Sequence, residues 1–220
     1  HPRKGLVFPS MFMDVAEETG LIDAIGLWVL RTACTQNKAW QDAGLPPLRM
    51  GVNISARQFD QPREFAKSVN RVLASTGLDP VWLELEMTES VLWKTAEESI
   101  QVLRRLGKSG TRIAVDDFGT GYSSLSYLKQ LPIHTLKIDR SFVRDVDTDK
   151  DSDVIVATII GMAHSLNLRV TAEGVDNLAQ LSVLKRLGCD EHQGYLFSKA
   201  LPADDIARRY LSIRQLEFGA

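Results

Sequence analysis

Histidine and cysteine are scarce in this 220-residue chain, which has four of the first and two of the second. Cys34 and Cys189 lie far apart and match no metal spacing, so they read as reduced core thiols rather than zinc ligands or a disulfide framework. No histidine pair stands at helical or strand spacing: His134 opens a strand, His164 falls on a helix, and His192 has the opposite parity to Gln193. Each histidine is therefore given a structural role. A basic excess is missing as well. Lys and Arg number 26 against 28 Asp and Glu, a net charge of -2 with pI about 6.1, which removes the electrostatic footprint of a nucleic-acid duplex binder. No run approaches the ~18 apolar residues of a membrane span. The domain is expected to make no membrane contact, and to lie in the cytoplasm alone or as the cytoplasmic part of an anchored parent. It opens at His1 with neither an initiator Met nor a signal sequence, and is expected to be a piece of a longer protein.

What is there is ordinary globular composition, 44% hydrophobic and 25% charged, ample for a full core. No linker or low-complexity tract interrupts it, so residues 1–220 are taken as one domain. Strand-like segments fall at 48–55, 81–89, 111–118, 134–139, 169–175 and 192–197. Helical patterns cover about 62–76, 95–109, 123–130, 153–166, 177–187 and 203–214, and a long helix, about 21–43, precedes the first strand. Such alternation predicts a parallel sheet. A closed parallel barrel needs eight strand–helix units in ~250 residues. Six are seen, so either the sheet is open or about two strands lie upstream of His1.

Residues two apart on a strand share a face. In "VWLELEMTE", Trp82, Glu84, Glu86 and Thr88 oppose Leu83, Leu85 and Met87. Asn53, Asp116, Lys137 and Glu173 likewise oppose apolar neighbours on their own strands. A doubly wound sheet, buried on both faces, would show near-continuous apolar runs instead. One apolar and one polar face fits a barrel packed outside by helices, with polar groups gathered inside at the C-terminal rim.

The last inward polar groups are Asn53, Glu86, Asp116, Lys137, Glu173 and Gln193, with Glu89 and Asp117 just beyond two of them. This is an oxygen-rich set with a single lysine, the kind of shell that Mg²⁺ or Mn²⁺ takes. Several charges in one lumen cost several kcal/mol each if unpaired. A metal site removes that cost, and two close metals suit phosphoester hydrolysis. Taken singly, Glu84 reads as an ion-pair partner of Arg49 or Arg112, and Lys137 as either catalytic or paired with Asp139. The aspartate-rich "DVDTDKDSD" (145–153) fails as a calcium loop, because Lys150 and Val156 occupy the positions that need Gly and Glu. Ser152 or Asp153 is expected to cap the helix that follows.

These residues sit in segments that resemble the EAL domain family, the bacterial cyclic-di-GMP phosphodiesterases. "AEETGLI" (16–22), "WVLRTAC" (28–34), "VNIS" (52–55), "ELEMTES" (84–90), "DDFGTGYSSLSYL" (116–128), "LKIDRSFV" (136–143), "AEGV" (172–175) and "CDEHQGYLFSKALP" (189–202) match its motifs in order. The resemblance spans essentially the whole chain.

It implies a TIM-type (β/α)8 barrel, here cut to about six strands, that hydrolyses cyclic-di-GMP to linear pGpG with two Mg²⁺ or Mn²⁺ ions. By motif, Asn53, Glu86 and Asp116 bind one metal, and Asp117 and Glu173 the second, with Asp116 bridging. Lys137 holds the attacking water or the phosphate, Gln193 orients water or ligand, and Glu89 anchors the loop carrying Asp117. The family's Glu-Ala-Leu, whose Glu is a metal ligand, belongs upstream of the opening His-Pro. Asp176 replaces the usual Glu of "EGVE", shortening a side chain near the second metal, and Ala200 replaces a frequent Pro. A homodimer contact through the helix around Ser123–Gln130, and an upstream sensory or GGDEF domain, are also implied. Two other readings remain: a catalytically silent cyclic-di-GMP receptor, and a Schiff-base aldolase using Lys137.

Overall fold

The computed structural model describes residues 1–93, 97–121 and 128–209. Among these, six strands form one sheet: β1 Met50–Asn53, β2 Leu83–Thr88, β3 Arg112–Phe118, β4 Thr135–Ile138, β5 Arg169–Ala172 and β6 Glu191–His192. All neighbours are parallel and the order is β1-β2-β3-β4-β5-β6. Right-handed crossovers in an order that never reverses must place every connecting helix on the same side. The other face is then left as an inner wall.

The residues follow that division. Val52, Ile54, Leu83, Leu85, Met87, Ile113, Val115, Leu136, Ile138, Val170 and Ala172 are all buried on the helix side. Helix α2 (Leu21–Asp42) packs on β1 and on α3 (Pro62–Thr76), while α5 (Glu97–Lys108) packs on α3 and β3. Two further short helices are α1 (Met13–Thr19), which precedes α2, and α4 (Glu89–Trp93), which follows β2. Beyond β4 come α6 (Arg140–Val143), α7 (Lys150–Ser165), which covers β4 and β5, and α8 (Leu178–Arg186). The sheet curls far enough for Arg49, just before β1, to reach Glu191 in β6 at 3.1 Å. The result is a half-barrel with β1 and β6 at its edges.

Several expected boundaries shift for local reasons. α3 begins at Pro62, whose missing N–H costs nothing in a first turn, and ends at Gly77 in the left-handed conformation. β1 is shorter than 48–55, and of the expected 192–197 only His192 is strand, preceded by Glu191 in β6, because the chain turns at Gly194 against the Val175 backbone. Glu89, expected at a strand end, opens α4 instead. Asp149 caps α7, accepting from Asp151 and Ser152 N–H, so neither Ser152 nor Asp153 is the cap. Residues 203–209 are helical; the rest of 203–214, and residues 123–127 of the expected helix 123–130 on which the dimer contact is expected, lie outside the described residues. Glu84 accepts from Thr135 Oγ1 at 2.5 Å rather than pairing with Arg49 or Arg112, since Arg49 is taken by Glu191.

His134 joins β3 to β4 through its own side chain. Its Nδ1 accepts from Ile113 N–H at 3.2 Å, and its backbone N–H donates to Ile113 O at 2.8 Å. Burial, with Arg112 nearby, lowers its pKa. The unfolded imidazole, with pKa near about 6.5, therefore protonates before the folded one. The stabilising neutral ring is complete above that pH and its contribution falls as pH drops toward the folded pKa. His134→Asn keeps an acceptor without titrating, so urea midpoints compared at pH 7.5 and pH 5 should fall less for the variant than for the wild type. An equal fall would remove His134 from the acid response.

Candidate metal centre

Four adjacent strands deliver four charged groups to one point. Glu86 comes from β2, Asp116 from β3 and Lys137 from β4. Glu173 follows β5, its N–H still bonded to Ile138 O at 3.2 Å as an extension of the ladder. Lys137 Nζ lies 2.7 Å from Glu86 Oε2, 3.1 Å from Asp116 Oδ1 and 2.6 Å from Glu173 Oε1, and is 4% exposed. Asp139 is not its partner. In-register parallel pairing explains the convergence, since Glu86 aligns with Ala114 and Lys137 with Thr171, which brings the inward residues of successive strands to similar depth.

One ammonium does not balance three carboxylates. Burial alone would lower the Lys137 pKa, but Glu86, Glu173 and Asp116 together drive it well upward. Burial raises Glu86, with Asp116 and Glu173 adding to the rise against the pull of Lys137. Glu173 is raised in the same way, by burial and then by Asp116 and Asp117, again against Lys137. The lysine is held charged while the acids carry surplus negative charge. Asp116 Oδ1 shows the shortfall most directly: it is buried and has a charge contact with Lys137, but no aligned hydrogen bond.

Asp117 reaches the same place by breaking strand alternation. The β3–β4 register shifts between Val115 and Phe118, a bulge, and Asp117 adopts φ of 52°. The left-handed region is unusual for a residue other than glycine, though Asp tolerates it better than most. A bulge re-aims a side chain. Oxygens of Asp116, Asp117 and Glu173 consequently lie within 4.8 Å of one another. Adjacent aspartates on opposite parity thus converge through a local irregularity that a regular strand would not permit.

The loop beyond is tied down by Glu89, buried at the start of α4, whose Oε2 accepts from Gly119 N–H at 3.1 Å. Asn53 stands opposite Glu86 in register and is exposed on the inner face. Gln193 follows β6, its N–H bonded to Ala172 O at 2.8 Å, and shares with Glu86 and Lys137 an inner cavity of about 390 Å³. Asp176 is not gathered into the cluster. Its Oδ1 accepts from Tyr195 N–H at 3.3 Å and its own N–H donates to Gln180, so it fastens the turn after β5 to the segment after β6.

Two participants escape a reading of strand parity. Asp139 lies close enough to Asp117 to raise its pKa, and its Oδ1 accepts from Ser141 N–H at 2.9 Å as the cap of α6. Burial raises Asp117, and Asp116 and Asp139 raise it further. The Asp-x-Ser spacing of a cap was the available signal for Asp139. Glu191 holds both Arg49 and Arg169, at 3.1 and 3.0 Å, below the cluster; nothing in its sequence neighbourhood announces that.

The donor set fits hard divalent cations. It offers carboxylate oxygens, surplus negative charge, and a buried oxygen lacking a hydrogen bond. A family model, the EAL domain, matches residues 1–200. MucR of Pseudomonas aeruginosa, a bifunctional diguanylate cyclase/cyclic di-GMP phosphodiesterase, is 44% identical over 206 residues, covering 94% of this chain and 30% of that protein. PdeR of Escherichia coli, a cyclic di-GMP phosphodiesterase, is 39% identical over 209 residues, covering 95% of this chain and 31% of its own. This chain therefore spans less than a third of the length of these relatives. Among solved structures, the PaMucR phosphodiesterase in complex with c-di-GMP aligns with TM-score 0.89 at 44% identity, covering 94% of this chain and 83% of that one. A calcium/c-di-GMP complex of BlrP1 from Klebsiella pneumoniae aligns with TM-score 0.72 at 27% identity over 80% of this chain and 44% of that one.

Replacing Lys137 by Met leaves the three carboxylates buried without their counter-ion, which should cost about 3–5 kcal/mol of stability in EDTA. Because carboxylates with raised pKa bind protons in the folded state, the variant should recover stability as pH falls. Urea unfolding of wild type and variant at pH 7.5 and 5.5 checks both points.

Proposed function

The chain belongs to the EAL domain family, and from that premise we propose that it hydrolyses one phosphodiester of cyclic-di-GMP to linear pGpG with two Mg²⁺ or Mn²⁺ ions. The observation carrying this reading is Lys137 caged by Glu86, Asp116 and Glu173 beside Asp117. Asn53, Glu86 and Asp116 would hold one ion, and Asp117 and Glu173 the other, with Asp116 shared. When bound, the ions supply a lower pKa for water and neutralise charge on the phosphoryl oxygens.

Each protein group has a task that its surroundings permit. Lys137 stays protonated at any working pH, so it acts as a donor that orients the attacking water or a phosphoryl oxygen, not as a base. Glu173, 2.6 Å from Lys137 and grouped with Asp116 and Asp117, would hold the second ion and help to place the attacking water. Gln193 orients water or ligand from the end of β6. Glu89 keeps Asp117 in place through Gly119 N–H. Asp176 acts at a distance, by fixing the turn that follows Glu173. Its shorter side chain therefore takes nothing from the carboxylate cluster itself.

The reading extends to the surroundings of the domain. Two strands upstream of His1, with a Glu-Ala-Leu carrying one more carboxylate ligand, would complete the barrel between the free edges of β1 and β6. A homodimer, a cytoplasmic location, and a sensory or GGDEF domain in the same protein belong to this proposal. No described helix is long and apolar enough to cross a membrane.

Incubation with cyclic-di-GMP and Mn²⁺, on this chain and on one extended by the two strands, should yield pGpG and lose that activity in EDTA. Lys137→Met should lower kcat about 10²-fold or more. Tight binding of cyclic-di-GMP without turnover by the extended chain would instead identify a receptor. A borohydride-reducible adduct on Lys137 would overturn the reading in favour of Schiff-base chemistry.

A further inference from the structure

The turn that ends β1 is clamped to α2 by one side chain. Gln58 Oε1 accepts from Ser55 N–H at 3.1 Å, and Ser55 Oγ accepts from Gln58 N–H at 3.3 Å, a reciprocal box around the short helical turn Arg57–Phe59. The Gln58 amide lies against α2 at Gly26. A Cβ there would fall 1.8 Å from Nε2 and 2.4 Å from Cδ. Glycine is a poor residue in the interior of a 22-residue helix, and here it leaves the space that the amide fills. Neighbouring Arg57 reaches Asp23 on the same helix at 3.7 Å, an exposed and therefore weak addition.

What the clamp holds is the exit of the strand carrying Asn53. Ile54 N–H donates to Glu86 O at 2.8 Å, the last bond from β1 to β2, and Ser55 is the next residue along. Asn53 is thus fixed on one side by its pairing with β2 and on the other by Ser55 and Gln58. We propose that Gln58, seated on Gly26, is a positioning residue for the metal centre, setting the backbone at Asn53 so that its amide oxygen meets the same cation as Glu86. This rests on the reading of Asn53 as a ligand given above. Groups that orient ligands from behind alter metal affinity by about 10–100-fold when removed.

The test measures Mn²⁺ binding without substrate, by calorimetry and by loss of the free-ion electron paramagnetic resonance signal, alongside thermal melting. Gln58→Ala should weaken Mn²⁺ about 10-fold, while Gln58→Glu, which keeps the acceptor for Ser55 N–H, should stay near wild type. Gly26→Ala gives an independent check, because Ala has the higher helix propensity yet expels the amide; its Mn²⁺ affinity should fall as in Gln58→Ala. A lower melting temperature for Gln58→Ala with unchanged Mn²⁺ affinity would overturn the proposal and leave Gln58 a structural clamp. Wild type that fails to bind Mn²⁺ would overturn the metal reading itself, and this inference with it.

Discussion

A buried ammonium surrounded by more carboxylates than it can neutralise governs this structure. Lys137 touches three acids from three other strand positions, and each of those acids is drawn from the inner face of a sheet whose outer face is solid hydrocarbon. Taking such charges out of water is costly, and their mutual attraction repays it only when geometry is good. The sheet provides the geometry. Parallel strands in unbroken order bring inward residues to one depth, while α2, α3, α5 and α7 make the opposite face rigid enough to hold them there.

The remaining imbalance is where chemistry enters. Surplus negative charge that persists around a lysine held firmly protonated is a poor arrangement for a structural ion pair and a good one for a cation site. Family membership and the alignment with PaMucR place this half-barrel among EAL domains. The energetic reading rests on the charges of this chain's own residues, and the relationship gives the family in which they stand. Local devices then refine the site: the bulge at Asp117, the Glu89 bond to Gly119, the Asp139 cap, and the Gln58 box each set one element of the rim.

The departure at Asp176 illustrates how position decides meaning. In the chain it stands three residues from Glu173 and reads as a shortened side chain near the second metal. In space it bonds Tyr195 N–H and braces two turns, with Gln180 completing the capping box of α8. Glu191 is the reverse case. Strand parity gave it no role, yet it joins the two edges of the half-barrel through Arg49 and also holds Arg169 on the neighbouring β5.

Strand parity alone determined much of this: which face of β2, β3, β4 and β5 is apolar, that Glu86, Asp116, Lys137 and Glu173 point inward, and that the sheet is of the barrel kind. Those properties follow from the two-residue repeat of a strand, which is local and survives any tertiary arrangement. Only the folded chain decided that Lys137 pairs with Glu86, Asp116 and Glu173 rather than Asp139, that Glu84 bonds Thr135, and that Asp117 joins Asp116 across a bulge. Those choices turn on register and backbone irregularity between segments far apart in sequence. A shift of one residue in either would have sent each side chain elsewhere.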